Sequence, residues 1–163
     1  MKKRKVFLLI GLPGAGKTTW TKKYVKENPD TLVVSRDDIR LHLHSGTYIF
    51  ETELEPVIKS MSDNMISDIL FSTDKNLIID ETNGRILNRK HLIDLIKETE
   101  QFNTVKKCKI IGVVFTETKN NLRNRMKNNR GYTKQKWKDV IDGMKNSWEA
   151  VKKKEGFHQI IKV

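Results

Sequence analysis

An apolar segment that runs directly into a glycine-rich loop is the feature that most constrains the fold. Residues 5–10 are almost entirely apolar, and residues 11–18 read Gly-Leu-Pro-Gly-Ala-Gly-Lys-Thr. An apolar run without polar alternation is typical of a strand that is buried on both faces of a parallel sheet. The loop fits the pattern G-x-x-x-x-G-K-[ST], whose glycines turn backbone N–H groups toward phosphate oxygens. A strand, a phosphate-binding loop and a helix are therefore predicted over residues 5–26.

Different residues of the loop are expected to contact different parts of a nucleoside triphosphate and its metal ion. A helix that starts near Lys17 offers free N–H donors and the positive end of its dipole. We expect Lys17 to bridge the β- and γ-phosphates, Thr18 to ligate Mg²⁺ and Thr19 to bond the α-phosphate. The predicted nucleotide-binding residues of the loop are Gly11, Gly14, Ala15, Gly16, Lys17, Thr18 and Thr19.

Apolar runs and amphipathic segments alternate along the rest of the chain. Further short apolar runs lie at residues 31–34, 76–80, 108–115 and 159–163. Segments with apolar residues at helical spacing separate them. This alternation predicts an α/β fold in which a central parallel sheet of four to five strands is flanked by helices, as one domain over residues 1–163.

Two of the predicted helices are long and carry a continuous apolar face. The first is predicted over Thr52–Phe71, with Val57 and Met65 in its buried stripe. The second is predicted over Gln135–Lys153, with Trp148 among its buried residues. Apolar residues at a spacing of three and four are the signature of such a stripe.

The charge balance narrows the class of partner. The chain has 32 Lys and Arg against 20 Asp and Glu, a formal net charge of +12 at pH 7. Such an excess favours a polyanionic partner, most simply nucleic acid. A single cysteine excludes an internal disulfide, and no apolar run is long enough to span a bilayer. We therefore expect a cytoplasmic monomer without a membrane partner, located in the host cytoplasm if a phage encodes it.

The acceptor side of a phosphotransfer site is predicted after the second strand, where residues 35–40 read Ser-Arg-Asp-Asp-Ile-Arg. Ligands bind at the carboxyl ends of the strands in open α/β sheets. Asp37 is placed to accept a proton from an attacking hydroxyl. Arg40, one helical turn further on, is placed to hold an acceptor phosphate or the transferring group. The structural alternative is that Asp37 or Ser35 caps a helix and Arg40 pairs with it.

Two more segments complete the predicted site. The third strand ends in Asp80, which suits the Mg²⁺ shell together with Thr18. The residues after it are expected to contact the acceptor: Glu81, Thr82 and Asn83. A basic segment over about residues 119–134 is predicted to be a lid, whose Arg125 and Arg130 close over the triphosphate. The alternative for the basic residues is a solvated helix face.

Residues 11–20, 35–40, 80–83 and 125–131 together resemble the polynucleotide 5′-hydroxyl kinase family, of the bacteriophage and bacterial end-healing type, within the P-loop phosphotransferases. The Arg-Asp-Asp-x-Arg element discriminates, because many NTPases share the phosphate loop. The resemblance implies the P-loop kinase fold with an arginine-bearing lid. It also implies transfer of the γ-phosphate of ATP or another NTP, with Mg²⁺, to the 5′-hydroxyl end of single-stranded DNA or RNA. The catalytic residues it implies are Lys17, Asp37, Arg40 and Arg130.

Three points stay open at the level of sequence. A small-molecule or nucleoside kinase of the same fold is one alternative function. A non-catalytic NTP switch that binds nucleic acid is another. Asp80 and Glu81 are both acidic, so the metal role and the acceptor role can be divided between them in either way.

Overall fold

The computed structural model describes residues 3–102 and 106–163 and contains one five-stranded sheet. The strands are β1 (Arg4–Ile10), β2 (Thr31–Val34), β3 (Asn76–Ile79), β4 (Cys108–Val114) and β5 (Gln159–Lys162). Their order across the sheet is β2-β3-β1-β4-β5, and every neighbouring pair is parallel. The predicted α/β fold with a central parallel sheet is confirmed.

Helices cover both faces of the sheet. They are α1 (Lys17–Glu27), α2 (Arg36–Leu43), α3 (Glu55–Ser72), α4 (Ile86–Thr99), α5 (Asn121–Met126) and α6 (Lys134–Asn146), with short 3₁₀ turns at Thr52–Leu54 and Lys153–Glu155. Helices α3 and α4 pack on one face and α1 packs on the other. Within the described residues, no helix has both the length and the apolar character that crossing a membrane requires.

The central strand β1 explains the uninterrupted apolar run of the sequence. Val6, Leu8 and Ile10 belong to the core shared with α3 and α4. Phe7 and Leu9 belong to the opposite core, which includes aromatic residues of α1. Because successive side chains of a strand point to opposite faces, a strand covered on both sides needs apolar residues at every position.

The buried face of α3 is narrower than the sequence predicts. Its buried residues are Ile58, Ser62, Ile66 and Leu70. Val57 and Met65 were expected in the core, but they are 51% and 41% exposed. These four residues form the i, i+4 row that faces the sheet and the neighbouring helices α2 and α4. Apolar character at Val57 and Met65 therefore gave a false indication of burial.

The second long helix ends earlier than predicted. Helix α6 stops at Asn146, so Trp148 lies beyond it. The chain instead turns toward the loop after β3, where Glu149 N donates to Gly84 O at 2.9 Å. A Cβ atom on Gly84 would lie only 2.6 Å from the Trp148 ring. This tertiary contact ends the helix, although apolar residues at helical spacing continue in the sequence beyond Asn146.

A fully buried arginine connects the loop after β3 with the C-terminal part of the chain. Arg89 is 0% exposed. It donates to Glu155 at 2.6 and 3.1 Å, to the carbonyls of Asn83 and Gly84 at 3.0 Å each, and to the carbonyl of Ala150 at 3.2 Å. A buried guanidinium is tolerated when a carboxylate and carbonyl groups satisfy its donors in this way.

Replacing Arg89 with alanine is expected to lower the free energy of unfolding by about 3–5 kcal/mol, because the Glu155 carboxylate and three carbonyl groups lose a buried partner. Urea unfolding followed by circular dichroism measures the loss. Lys90→Ala on the same helix is the matched control. It removes an exposed ion pair with Asp94, so its cost should be about 0.5 kcal/mol or less. Equal losses in the two variants would contradict the role given to Arg89.

Candidate active site

The phosphate loop lies between the end of β1 and the start of α1, as predicted. Gly14 and Gly16 have φ angles of 78° and 99°, which are left-handed values that favour glycine. Helix α1 begins at Lys17, directly after Gly16. The N–H groups of its first turn have no partner within the helix, so the loop and helix together form an anion-binding end.

The start of the lid segment lies against the phosphate loop. A Cβ atom on Gly14 would overlap the backbone oxygen of Asn121. Asn124 Nδ2 also donates to Gly14 O at 3.3 Å. Gly14 is therefore required twice, for its φ angle and for the close approach of α5. Within the segment predicted to be a lid, the first helix is α5, which spans Asn121–Met126.

Lys17 is directed back onto its own loop. Its Nζ donates to Gly11 O at 2.7 Å and to Leu12 O at 3.1 Å. Burial lowers the pKa of Lys17 from 10.5 to about 8, although the carboxylates of Asp80 and Asp37 act in the opposite direction. These two carboxylates therefore lie close to the lysine that is expected to bridge the phosphates.

Asp37 lies at the N-terminus of α2 and is held by three side chains. Arg40 Nη1 donates to its Oδ1 at 2.9 Å, Tyr48 Oη donates to the same oxygen at 3.2 Å, and Arg130 Nη1 donates to its Oδ2 at 2.6 Å. Burial raises the pKa of Asp37, but Arg130, Arg40 and Tyr48 more than offset this and leave the pKa below its ordinary value. Asp37 is thus ionised at neutral pH, and 41% of its side chain is still exposed.

The structural alternative for residues 35–40, a helix cap together with an ion pair of Arg40, is also present. Ser35 Oγ accepts from Asp38 N at 3.4 Å and so caps α2. Arg40 pairs with Asp37 and, on its other side, with both carboxylate oxygens of Glu55 at 2.6–2.9 Å. The Arg40 side chain is only 8% exposed. The expected contact between Arg40 and an acceptor phosphate is therefore not supported by its position, and Arg40 instead orients Asp37.

The two acidic residues after β3 have different surroundings. Arg36 Nε lies 3.0 Å from Glu81 Oε1. Burial raises the pKa of Glu81, and Arg36 opposes that rise. Burial also raises the pKa of Asp80, with Lys17 as the main opposing charge. Among the contacts of residues 3–102 and 106–163, Asp80 has no ion pair within 4.0 Å. Glu81 already forms an ion pair with Arg36, and Asp80 is therefore the carboxylate that is available to bind a metal cation.

The site offers few protein ligands to a metal ion. No group of three or more His, Cys, Asp or Glu suitable for a metal occurs in the part of the chain that the structure describes. Asp80 is partly buried and Thr18 is exposed in the first turn of α1. Mg²⁺ in phosphotransfer sites is held by one or two protein oxygens plus substrate phosphates and water. The residues present fit such a site, and they do not fit an all-protein metal site.

Two residues that are expected to contact the acceptor also support the end of β1 and the phosphate loop from behind. Thr82 O accepts from Gly11 N at 3.0 Å. Asn83 is 2% exposed, has a left-handed φ of 49°, and donates from Nδ2 to Leu9 O at 2.9 Å. The position of Asn83 therefore argues against the acceptor contact expected for it. Sequence reasoning missed this role because a polar residue after a strand gives no sign of the direction of its side chain.

The lid brings two arginines to the site. Arg130 has a φ of 53°, reaches Asp37, and lies with its guanidinium 4.5 Å from the centre of the Tyr48 ring. Arg125 lies 4.3 Å from the centre of the Trp137 ring. Its Nε and Nη2 atoms are buried without a hydrogen-bond partner. Unpaired buried donors are costly, and a phosphate would satisfy those of Arg125.

Tyr48 and Glu55 are the site residues that sequence reasoning missed. Both lie between the second and third strands, and neither belongs to a recognised motif. Tyr48 also makes an edge contact with Tyr132 of the lid, with ring centres 6.0 Å apart. The one available signal was the Tyr-Ile-Phe run at residues 48–50 in an otherwise polar segment, because a tyrosine hydroxyl that packs inside a protein usually finds a hydrogen-bond partner.

Comparison with known proteins gives a family and a set of similar structures. A family model described as "AAA domain" matches residues 6–151. The human protein "Heterogeneous nuclear ribonucleoprotein U-like protein 2" is 32% identical over 87 residues. That stretch is 48% of this chain and 12% of the human protein, so the chain spans only a small part of the length of this relative.

Two solved structures are similar over nearly the whole chain. A structure titled "Crystal Structure of Fungal RNA Kinase" has a TM-score of 0.71 at 15% identity and covers 100% of this chain and 75% of its own. A chain of the structure titled "Structure of the Pnkp1/Rnl/Hen1 RNA repair complex" has a TM-score of 0.70 at 21% identity and covers 90% of this chain and 46% of its own. At these identities the similarity establishes the P-loop kinase fold.

Binding of a nucleoside triphosphate is expected to take up about one proton at pH 9. Lys17 has a pKa of about 8, so it is mostly neutral there, and phosphates next to its Nζ favour the charged form. Calorimetry in two buffers that differ in ionisation enthalpy measures the uptake. Lys17→Arg is the control, because a guanidinium is charged throughout this range and should abolish the uptake. Binding by the wild type without proton uptake would contradict the pKa assigned to Lys17.

Proposed function

The chain belongs to the AAA domain family, and from that premise we propose that it is a polynucleotide 5′-hydroxyl kinase. It transfers the γ-phosphate of ATP or another NTP to the 5′-hydroxyl end of single-stranded DNA or RNA. The observation that carries the proposal is the ion pair between Arg130 and Asp37, at 2.6 Å. This pair joins the lid to a carboxylate on the acceptor side, above a phosphate loop. An NTP switch has no need of a carboxylate there.

The donor half of the reaction is assigned to the phosphate loop and the lid. Lys17 bridges the β- and γ-phosphates, and Arg125 and Arg130 neutralise charge that develops on the transferring group. The buried, unpaired donors of Arg125 support this role. Thr18 and Asp80 would hold Mg²⁺, which would neutralise charge at the phosphate oxygens.

The acceptor half is assigned to Asp37. A general base must be ionised and within hydrogen-bond reach of the attacking hydroxyl. Its low pKa keeps Asp37 ionised, and its half-exposed side chain leaves an approach for the hydroxyl. When Arg130 binds a phosphate instead of Asp37, the carboxylate loses its strongest cationic partner and its proton affinity rises. Arg40 and Tyr48 hold the carboxylate in place during this exchange.

A basic surface next to the site supports a polyanionic acceptor. Residues 118–138 include eight Lys or Arg and no Asp or Glu. Lys138 pairs with Asp142, and the exposed members of this group without an ion pair in the described residues are Lys119, Arg123, Lys127, Lys134 and Lys136. Phosphates of a nucleic acid strand that leads to Asp37 would pair with such a surface. Two similar structures, those of a fungal RNA kinase and of an RNA repair complex, agree with this class of acceptor.

A small-molecule or nucleoside kinase of the same fold is the alternative. The close packing around Asp37 favours it, because Arg40 and Tyr48 leave only part of the carboxylate accessible. A small acceptor does not require the basic surface of residues 118–138. Transfer of labelled γ-phosphate to 5′-hydroxyl oligonucleotides, compared with nucleosides and with no acceptor, separates the kinase functions from each other and from a switch.

Asp37→Asn is expected to reduce phosphate transfer by about 10²–10⁴-fold, the usual cost of losing a general base. The amide keeps the size of the side chain and cannot accept the proton. NTP affinity should change little, since Asp37 is not part of the phosphate loop. Single-turnover transfer and nucleotide titration measure the two effects. Asp38→Asn is the matched control, because Asp38 is the exposed neighbour in the same helical turn. The opposite result, an inactive Asp38 variant and an active Asp37 variant, would contradict the assignment.

The polynucleotide assignment predicts a dependence on strand length and salt. KM for a 5′-hydroxyl oligonucleotide should fall as the strand is lengthened, and high salt should remove most of that gain. Each phosphate contact should add a slope of roughly −0.7 to a plot of log affinity against log salt. NTP affinity should depend on salt less steeply, because its phosphates are enclosed by the loop. Equal use of a nucleoside and a long strand at both salt concentrations would favour the small-molecule alternative.

A further inference from the structure

Two exposed apolar residues that belong to neither core cluster lie near Asp37 in the described structure. Ile49 and Phe50 are 39% and 50% exposed. They follow Tyr48 in the irregular segment between α2 and the 3₁₀ turn at Thr52–Leu54. Phe50 is absent from both core clusters of the described residues. Adjacent exposed apolar side chains close to the proposed general base form a small apolar patch that is a candidate binding surface.

The position of Phe50 is fixed by Arg40. The guanidinium carbon of Arg40 lies over the Phe50 ring, 5.3 Å from the ring centre. The same guanidinium donates to Glu55 and to Asp37. Because Arg40 is held on both sides, the face of the ring that rests on it is held as well. Only one side chain therefore separates the Phe50 ring from the carboxylate of Asp37.

We propose that Phe50 is a stacking platform for the terminal nucleobase of the acceptor, at its 5′ end. The inference rests on the proposed function, since it names how that site holds its acceptor. The sugar of the terminal nucleotide carries both the base and the 5′-hydroxyl. A base on the Phe50 ring therefore brings the hydroxyl toward Asp37, while the phosphates that follow lead to the basic residues 118–138.

The chemistry of the platform suits a nucleic acid with any terminal base. Stacking uses the π-face that all bases share, so it tolerates sequence. The Arg40 cation behind the ring polarises it and holds it flat against an incoming base. A polar small-molecule acceptor gains little from an exposed phenyl ring. Phe50 is thus a specificity-determining residue for acceptors that carry a nucleobase.

The test uses an acceptor with the fluorescent base 2-aminopurine at its 5′ end, in the full-length chain and without a phosphate donor. Stacking on an aromatic ring should quench the terminal 2-aminopurine. The same base placed deep within the strand should be quenched less. Phe50→Ala should remove most of the terminal quenching and weaken binding by about 5- to 150-fold. Phe50→Trp should retain both, because it keeps an aromatic face.

Phe71→Ala is the matched control. Phe71 is 55% exposed and lies at the C-terminal end of α3, against Phe102. Strand β3 starts just after it, so Phe71 lies near the N-terminal ends of the parallel strands. Asp37 instead follows the C-terminal end of β2. This variant should leave terminal quenching and binding unchanged. An equal loss in the two variants would overturn the platform, because it would reflect a general effect of removing a phenyl ring.

An acceptor with an abasic 5′-terminal sugar separates stacking from mere support of Arg40. Phe50→Ala should raise KM for the acceptor that has a terminal base and leave KM for the abasic acceptor unchanged. An equal effect on both acceptors, in KM or in kcat, would overturn the proposal. If the wild type quenches the terminal 2-aminopurine but transfers no phosphate to the strand, the kinase assignment is overturned and the stacking platform is supported. No binding of the 2-aminopurine strand by the wild type would overturn the platform.

Discussion

The buried guanidinium of Arg89 is the interaction on which the geometry of the site depends. It holds the carbonyls of Asn83 and Gly84 and, through Glu155, the segment that follows α6. The Asn83 side chain in turn donates to Leu9 O near the end of β1, and Thr82 O accepts from Gly11 N. The phosphate loop is thus fastened from behind by a neighbouring strand end. A loop built from glycines needs such external support, because glycine gives freedom but no rigidity.

Most of the opposite charges in the site are balanced in pairs. Glu81 is matched by Arg36, Glu55 by Arg40, and Asp37 by Arg130. Three partly buried charged groups have no ion pair in the contacts that the structure describes: acidic Asp80 and basic Lys17 and Arg125. A triphosphate with its metal ion carries both signs of charge that these residues require. The imbalance is therefore a feature of a binding site, since buried charges without partners destabilise a fold.

The sequence predicts the fold well because the fold depends on local patterns. The phosphate loop, the apolar strands and the alternation with helices each follow from neighbouring residues, and the sheet confirms them. The end of α6 could not be predicted, because Trp148 leaves the helix to pack on Gly84, which is distant in sequence. The same holds for Val57 and Met65, whose exposure depends on what covers α3.

The candidate site was predictable in its parts and less so in its pairings. Motifs placed Lys17, Asp37, Asp80 and Arg130 at one edge of the sheet, and the structure brings their charges within mutual influence. Motifs did not show that Arg40 is enclosed by Glu55 or that Asn83 points inward, because both depend on side-chain direction and on long-range partners.

The close contact between Gly14 and Asn121 has a mechanical consequence for the lid. Helix α5 is pinned to the phosphate loop at one end, by backbone contact and by Asn124. Beyond Met126, Arg130 and Gly131 both have left-handed φ angles. In the proposed reaction, a change of backbone conformation at these two residues is enough to move Arg130 from Asp37 to a phosphate. Helix α5 then keeps its contact with the phosphate loop, and no domain has to move.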